Sequence, residues 1–229
     1  IFKKKFWCLM LKLELKKRII TSIFLFFLLT LMFFYNFILI ISLIVIAVCA
    51  WIEFYALIEK ILKKENSKNK ILRFIYKTIS LVYLTILIYF IIIVKSLNYQ
   101  LEDALVYSIL VSILTDIGGL VIGKLFKGKK LTKISPKKTI SGALGSFLFS
   151  LILVPFYLDI FIDYKISILI LITLLISLTS QIGDLFISFL KRKASVKNTS
   201  NLLPGHGGVL DRIDGMVFSI PACLIIFYI

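Results

Sequence analysis

The amino-acid sequence predicts an all-α, polytopic integral membrane protein with about seven transmembrane helices and a cytoplasmic N-terminus. Three observations carry this expectation. Apolar residues make up 60% of the 229 residues and charged ones only 17%, whereas soluble domains run at roughly 45–50% and 25%. Mean hydropathy is +1.02, and no core of this size can hide so many Ile, Leu and Phe side chains, so lipid must solvate much of the surface. The apolar residues come in runs of membrane-crossing length, and the basic residues gather in alternate connections between those runs.

The elements follow in order. Residues 1–18 form a basic arm with Lys3, Lys4, Lys5, Lys12, Lys16, Lys17 and Arg18. Residue 1 is Ile rather than Met, so the numbering is expected to begin at a non-standard start codon or inside a longer reading frame, with Met10 as an alternative start. No small-residue cleavage site follows the arm, and the next apolar run is long, so it is read as an anchor that stays. About 20 residues at roughly 1.5 Å rise cross the hydrocarbon core. The run 19–58 is too long for one helix and divides near Tyr35 and Asn36 into a short first span and a longer second. Further spans are expected near 74–94, 104–123, 139–158, 166–189 and 215–229, the last short and cut by Pro221.

The charge supports that count. The chain holds 28 Lys and Arg against 12 Asp and Glu, a formal net charge of +16. Such an excess points to nucleic acid, anionic lipid or a phosphorylated substrate. Of the 28, 25 lie in the arm or in the connections after the second, fourth and sixth spans, while the intervening connections are acidic or neutral. Positive loops stay cytoplasmic, which puts the N-terminus inside and the C-terminus outside. Basic loops also hold anionic headgroups, at roughly 1 kcal/mol per residue. That suffices for the arm and for Lys60, Lys63, Lys64, Lys68, Lys70 and Arg73. Cys8, Cys49 and Cys223 are far apart, with no metal-ligand or disulfide spacing, and read as small buried hydrophobes.

Four carboxylates break the pattern. Asp116 lies inside the fourth span, Asp184 near the cytoplasmic end of the sixth, and Asp211 and Asp214 just before the seventh. Ionisable groups at membrane depth are expensive, so each is a candidate site residue. Beside dense Lys and Arg they are either counter-ions for the basic loops or ligands for Mg²⁺ while the cations hold phosphate oxygens. Mg²⁺ favours one or two carboxylates plus substrate phosphates. Glu53, near the inner end of the second span, is a weaker candidate and is expected to pair with a nearby Lys. Between spans six and seven, Pro204-Gly205-His206-Gly207-Gly208 makes a turn able to bring backbone N–H groups close to a phosphate.

The stretch from Ser188 through Lys191-Arg192, Lys197 and the Pro204–Gly208 turn to Asp211-Arg212-Ile213-Asp214 resembles the signature of the phosphatidate cytidylyltransferases (CDP-diacylglycerol synthases). Gly183-Asp184-Leu185 is similar to the family's entry to that loop. Asp116-x-Gly118 with Gly123-Lys124, then Ser135-Pro136-Lys137-Lys138-Thr139 and Gly142, is similar to its middle block, and Lys17-Arg18-Ile19 to its start. The sequence departs at Asn198, where the family usually has Asp, at Ile187, where it usually has Glu, and near Ser141, where an acidic residue is common.

The resemblance implies an integral membrane enzyme of the bacterial inner membrane, with its active site on the cytoplasmic side, that transfers CMP from CTP to phosphatidic acid. A basic arm (1–18) and N-terminal helices (19–103) would precede a catalytic region (104–229) with two cytoplasmic substrate-binding loops. Asp184, Asp211, Lys191, Arg192, Lys197, His206 and Arg212 are the expected catalytic residues. Lys137, Lys138, Thr139, Ser188, Gly205, Gly207 and Gly208 would bind substrate, and Asp184, Asp211, Asp214 and Asp116 would hold Mg²⁺. The expected partners are CTP, phosphatidic acid and the bilayer, with no nucleic acid; a homodimer is compatible with the chain and not demanded by it. The competing readings are a CTP-dependent lipid or polyprenol kinase, a membrane transporter, and an inactive relative.

Overall fold

Helices make up the regular structure of the computed structural model, which describes residues 16, 19–32, 34–97, 99–132, 135, 138–205 and 207–228. Among the described residues there is no strand, only the isolated bridges Lys130–Thr139 and Leu203–Gly207. In chain order the helices are α1 (Ile19–Met32), α2 (Asn36–Ile61), α3 (Ser67–Leu97), α4 (Tyr99–Phe126), α5 (Ile140–Leu151), α6 (Val154–Tyr157), α7 (Ile166–Lys193), α8 (Leu210–Ile213) and α9 (Met216–Tyr228). The protein is an all-α polytopic membrane protein. Among the described residues, five segments are long and apolar enough to cross a bilayer: α2, most of α3, most of α4, the α5–α6 stretch Ile140–Tyr157, and α7. The apolar helices α1 and α9 are shorter.

The expected division near residue 35 is observed, with Tyr35 in extended conformation (φ −123°, ψ 108°) ahead of α2. The third span starts earlier than its hydropathy indicates, because Lys68, Lys70 and Arg73 lower hydropathy without opposing the helix. The fifth breaks between α5 and α6, and Pro155 falls in the first turn of α6, where a missing N–H costs nothing.

The chain forms two units, residues Tyr89–Lys193 with Ile213–Ile229, and Ile1–Ile88 with Ala194–Arg212. The first is built inside-out relative to a soluble bundle. Tyr107, Ser108, Val111, Ser112 and Thr115 of α4 are buried, as are Leu169, Ile172, Thr173, Ile176, Ser177 and Ser180 of α7, at spacings of three and four that line one helix face. Leu120 and Leu125, by contrast, are 63% and 69% exposed. Lipid is as apolar as Leu, so close backbone packing and interhelical hydrogen bonds, rather than exclusion of grease, hold such helices together. The hydroxyls supply these bonds: Tyr107 to Thr173 (2.6 Å), Ser112 to Ser219 (2.6 Å), Thr115 to Ser177 (2.8 Å), and Ser146 to the Thr115 carbonyl (2.8 Å). Glycines allow α4 and α5 to touch; a Cβ at Gly145 would sit 2.8 Å from the Gly118 carbonyl oxygen. Cys223 is fully buried, as expected of a small hydrophobe, with Sγ 3.2 Å from the Ala104 carbonyl; Cys49 is partly buried and Cys8 lies outside the described residues.

In the other unit α2 and the start of α3 are tied at their polar ends. Arg73 donates from Nε to the Leu62 carbonyl at 3.0 Å, satisfying the C-terminus of α2. The Trp51 indole donates to the Lys77 carbonyl at 3.1 Å, and the Lys77 ammonium lies 5.2 and 4.7 Å from the ring centres of Trp51 and Tyr55. The segment Ala194–Arg212 belongs to this unit and not to that of the spans beside it in sequence.

Candidate active site

The Ala194–Arg212 segment is organised by two carboxylates. Glu53 of α2 is only 2% exposed. Its Oε1 accepts from Ser200 Oγ (2.6 Å) and the Val209 N–H (2.9 Å). Its Oε2 accepts from Thr199 Oγ1 (2.7 Å) and the Leu210 N–H (2.9 Å). The expected pairing of Glu53 with a lysine is therefore replaced by four loop donors, two of them backbone N–H groups at the start of α8 that have no partner within that helix. Asp211 closes the same segment from within: its Oδ2 accepts from the Thr199 N–H (2.9 Å), Thr199 Oγ1 (3.0 Å) and the Gly208 N–H (3.0 Å).

The glycine turn is closed by paired backbone bonds, Leu203 N–H to the Gly207 carbonyl (2.8 Å) and Gly207 N–H to the Leu203 carbonyl (3.1 Å). Gly205 and Gly207 have φ of +78° and +89°, the left-handed region in which a side chain is strained. Thus the N–H groups of Gly207 and Gly208, expected to face a phosphate, bond within the loop in this structure. Lys197 and Arg212 are exposed on the same segment. His206 and Lys137 lie outside the described residues.

In the helical unit α7 ends in Lys191, Arg192 and Lys193, with Asp184 two turns earlier. Lys138 forms an ion pair with Asp184 Oδ2, and Ser188, one turn on, donates to Asp184 Oδ1 at 3.3 Å. Lys138 is held by a hairpin-like closure in which the Leu131 N–H donates to the Lys138 carbonyl (2.8 Å) and the Ile140 N–H to the Lys129 carbonyl (2.9 Å). Thr139 serves as the N-cap of α5, accepting from the Gly142 N–H at 3.0 Å. Asp214 is buried, 7% exposed, and accepts from the Gly215 N–H at 3.0 Å. Burial first, then the neighbouring negative charge of Asp184, pushes its carboxyl up to about 7; Lys191 opposes the shift and Asp116 adds to it. Gly183 lets this corner close, since a Cβ there would lie 2.5 Å from the Asp214 carbonyl oxygen.

The structure thus places Asp116, Asp184, Asp214, Lys138, Lys191 and Ser188 in one electrostatic neighbourhood, and Lys197, Asp211, Arg212 and the glycine turn on one clamped loop. Among the described residues no three His, Cys, Asp or Glu side chains form a ready-made metal cage. The donor set still fits Mg²⁺, which takes hard oxygens and shares its shell with substrate phosphates and water. A cation would also relieve the repulsion that raises Asp214.

A family model described as "Cytidylyltransferase family" matches residues 6–229. The chain belongs to the cytidylyltransferase family. Curated proteins named phosphatidate cytidylyltransferase are similar over 120 residues. That of Staphylococcus haemolyticus (strain JCSC1435) is 43% identical across 51% of this chain and 46% of its own. Those of Staphylococcus saprophyticus and Staphylococcus aureus (strain COL) are 42% and 43% identical over the same shares. The chain spans about half the length of the curated relatives it matches.

Sequence reasoning singled out Glu53 with the wrong partner and missed Thr199 and Ser200. A signal for Glu53 was present: positions three and four away on α2 are Ala50, Ala56, Cys49 and Leu57, so no base lies within reach on its own helix. An acid at membrane depth without a local partner must find one elsewhere. The departures from the cytidylyltransferase signature are absorbed locally. Ile187 is buried in α7, Ser141 Oγ accepts from the Gly128 N–H at 3.3 Å, and the Asn198 side chain lies where a Cβ at Gly207 would come within 3.4 Å of its Cγ.

Proposed function

We propose that the protein transfers CMP from CTP to phosphatidic acid, releasing pyrophosphate and forming CDP-diacylglycerol at the cytoplasmic face of a bacterial inner membrane. The observation that carries this is the Lys138–Asp184 pair beside buried Asp214 and Lys191 at the ends of apolar helices. That arrangement suits two polyanionic substrates, one soluble and one anchored in lipid. The similarity to proteins named phosphatidate cytidylyltransferase supports the choice of substrates, and the alternation of basic loops supports the orientation.

In the reaction a phosphate oxygen of the lipid attacks the α-phosphorus of CTP in line, the bond to the β-phosphate oxygen breaks, and pyrophosphate departs with that electron pair. The nucleophile is already an anion, so the protein's task is positioning and charge neutralisation rather than proton abstraction. Lys138, Lys191, Arg192, Lys197 and Arg212 hold phosphate oxygens, the arginines able to do so with two parallel bonds. Lys138 exchanges Asp184 for a substrate oxygen, which frees Asp184 as a ligand. Asp184 and Asp214, with Asp116 contributing, would hold Mg²⁺, which supplies neutralisation of the charge that develops on the leaving group.

Membranes carrying the protein, given phosphatidic acid and Mg²⁺, should place label from α-labelled CTP in the lipid and none from γ-labelled CTP. Label in lipid from γ-labelled CTP would show a lipid kinase instead, and ion or solute flux without nucleotide turnover would show a transporter.

A further inference from the structure

We infer that Glu53 is a positioning residue of the nucleotide site, acting from α2 through the Ala194–Arg212 loop rather than on substrate. The inference rests on the cytidylyltransferase reading, because it assigns Lys197 and Arg212 to phosphate oxygens. Every oxygen position of the carboxylate is used: one hydroxyl and one backbone N–H converge on each of Oε1 and Oε2, at 2.6–2.9 Å. A carboxylate with four such donors is satisfied without a cation. The donors come from both ends of the loop, Thr199 and Ser200 on one side of the glycine turn and Val209 and Leu210 on the other. Glu53 therefore cinches the loop at its base and fixes where the flanking Lys197 and Arg212 leave it. Thr199 Oγ1 couples it to Asp211, lying 2.7 Å from Glu53 Oε2 and 3.0 Å from Asp211 Oδ2. One hydroxyl proton serves two acceptors there.

The chemistry makes a sharp distinction between Glu and Gln at this position. An amide presents one oxygen and one NH₂ group. Since each carboxylate oxygen meets a backbone N–H, either orientation of the amide sets its NH₂ against a backbone donor that cannot turn away. Glu53→Gln, though equal in size, should unclamp the loop. A loop competent for only a fraction of the time raises apparent KM by the inverse of that fraction while leaving the saturated rate largely intact.

The test uses the full chain in detergent or membranes, with Glu53→Gln, Glu53→Asp, Ser200→Ala and the double variant Glu53→Gln/Ser200→Ala, and Glu59→Gln as the control on the exposed side of α2. Glu53→Gln is expected to raise KM for CTP at least about 10-fold with kcat within about threefold, and Glu53→Asp, which keeps the acceptors, to recover part of the loss. Ser200→Ala should raise KM in the wild-type background and add nothing to Glu53→Gln, because the two act through one bond. Trypsin should cut after Lys197 faster in Glu53→Gln than in the wild type, a readout that needs no turnover. An unchanged KM in Glu53→Gln, or additive effects in the double variant, overturns the inference. If Glu53→Gln does not fold, a wild-type KM in Ser200→Ala overturns it. A wild-type protein that forms no CDP-diacylglycerol, while Glu53→Gln is still cut faster, fails the functional reading and leaves the clamp standing.

Discussion

Gly208→Ala tests the loop architecture with a single methyl group. A Cβ at Gly208 would lie 2.7 Å from Glu53 Cδ and closer still to Glu53 Oε2 and Thr199 Oγ1. None of these can retreat easily, because Glu53 is 2% and Thr199 5% exposed and both are bonded on several sides. Relief requires breaking the Thr199–Glu53 bond (2.7 Å) together with either the Leu210–Glu53 bond (2.9 Å) or the Gly208–Asp211 bond (3.0 Å). Hydrogen bonds to charged groups are worth about 1.5–3 kcal/mol each, so two lost bonds cost the closed loop about 3–6 kcal/mol. At about 1.4 kcal/mol per factor of ten, kcat/KM for CMP transfer should fall at least about 100-fold. The helices long enough to span the membrane carry none of these bonds except through Glu53, so the variant should still insert and purify. The assay is transfer of α-labelled CMP to phosphatidic acid at several CTP concentrations, with tryptic cutting after Lys197 as a measure of loop order. Gly205→Ala is the internal comparison: its φ of +78° costs a side chain about 1–2 kcal/mol, so about a 10-fold loss is expected. A kcat/KM for Gly208→Ala within about threefold of wild type would refute the clamp.

Three further outcomes are expected. Lys138→Met should cost activity about 100-fold or more yet move the thermal midpoint little, because a pair whose side chains are each 25% exposed contributes at most about 1 kcal/mol; differential scanning fluorimetry in detergent beside the transfer assay separates the two. Gly145→Val should destabilise the α4–α5 contact by about 1–3 kcal/mol, as overpacking does, and lower that midpoint without altering KM in the protein that remains folded. Asp184→Asn and Asp211→Asn should each abolish Mg²⁺-dependent CDP-diacylglycerol formation while the protein still inserts, and near-normal turnover in both would remove the metal assignment.

Much of the architecture was legible because lipid imposes length. Runs of apolar residues had to be helices, and the polar dipeptide Tyr35-Asn36 marked the break that α2 shows. The helix interfaces were harder to read, since aliphatics lie on both sides: the buried faces of α4 and α7 mix Ser and Thr with Val, Leu and Ile, and the outward faces also carry Leu and Ile. Periodicity of hydroxyls, not of aliphatics, was the usable signal. At the site, Asp184 and Asp214 stood out as acids out of place, but Lys138 as the partner of Asp184 lies 46 residues away on another connection, and no spacing rule reaches that far. Thr139 sits in the family block, and its position before α5 also marks an N-cap, which the structure shows.

The carboxylates near the membrane face fall into two kinds that charge alone does not distinguish. Glu53 and Asp211 accept from backbone N–H groups and hydroxyls, donors that belong to the fold and stay when substrate leaves. Asp184 accepts from Lys138, a donor on a flexible stem that a phosphate oxygen can win, and Asp214 is raised by burial and by Asp184 with only partial relief from Lys191. A carboxylate satisfied by fixed dipoles gains little from an arriving cation, whereas a buried one crowded by another acid gains the most. On that ground Asp184 and Asp214 would be the stronger ligands for the proposed Mg²⁺, and Asp211 would contribute chiefly by holding the loop that carries Lys197 and Arg212. Chelation separates these roles. Removing divalent ions should stop transfer and leave tryptic cutting after Lys197 unchanged if the loop is held by Glu53 and Asp211 alone. Faster cutting on chelation would move Asp211 back among the ligands.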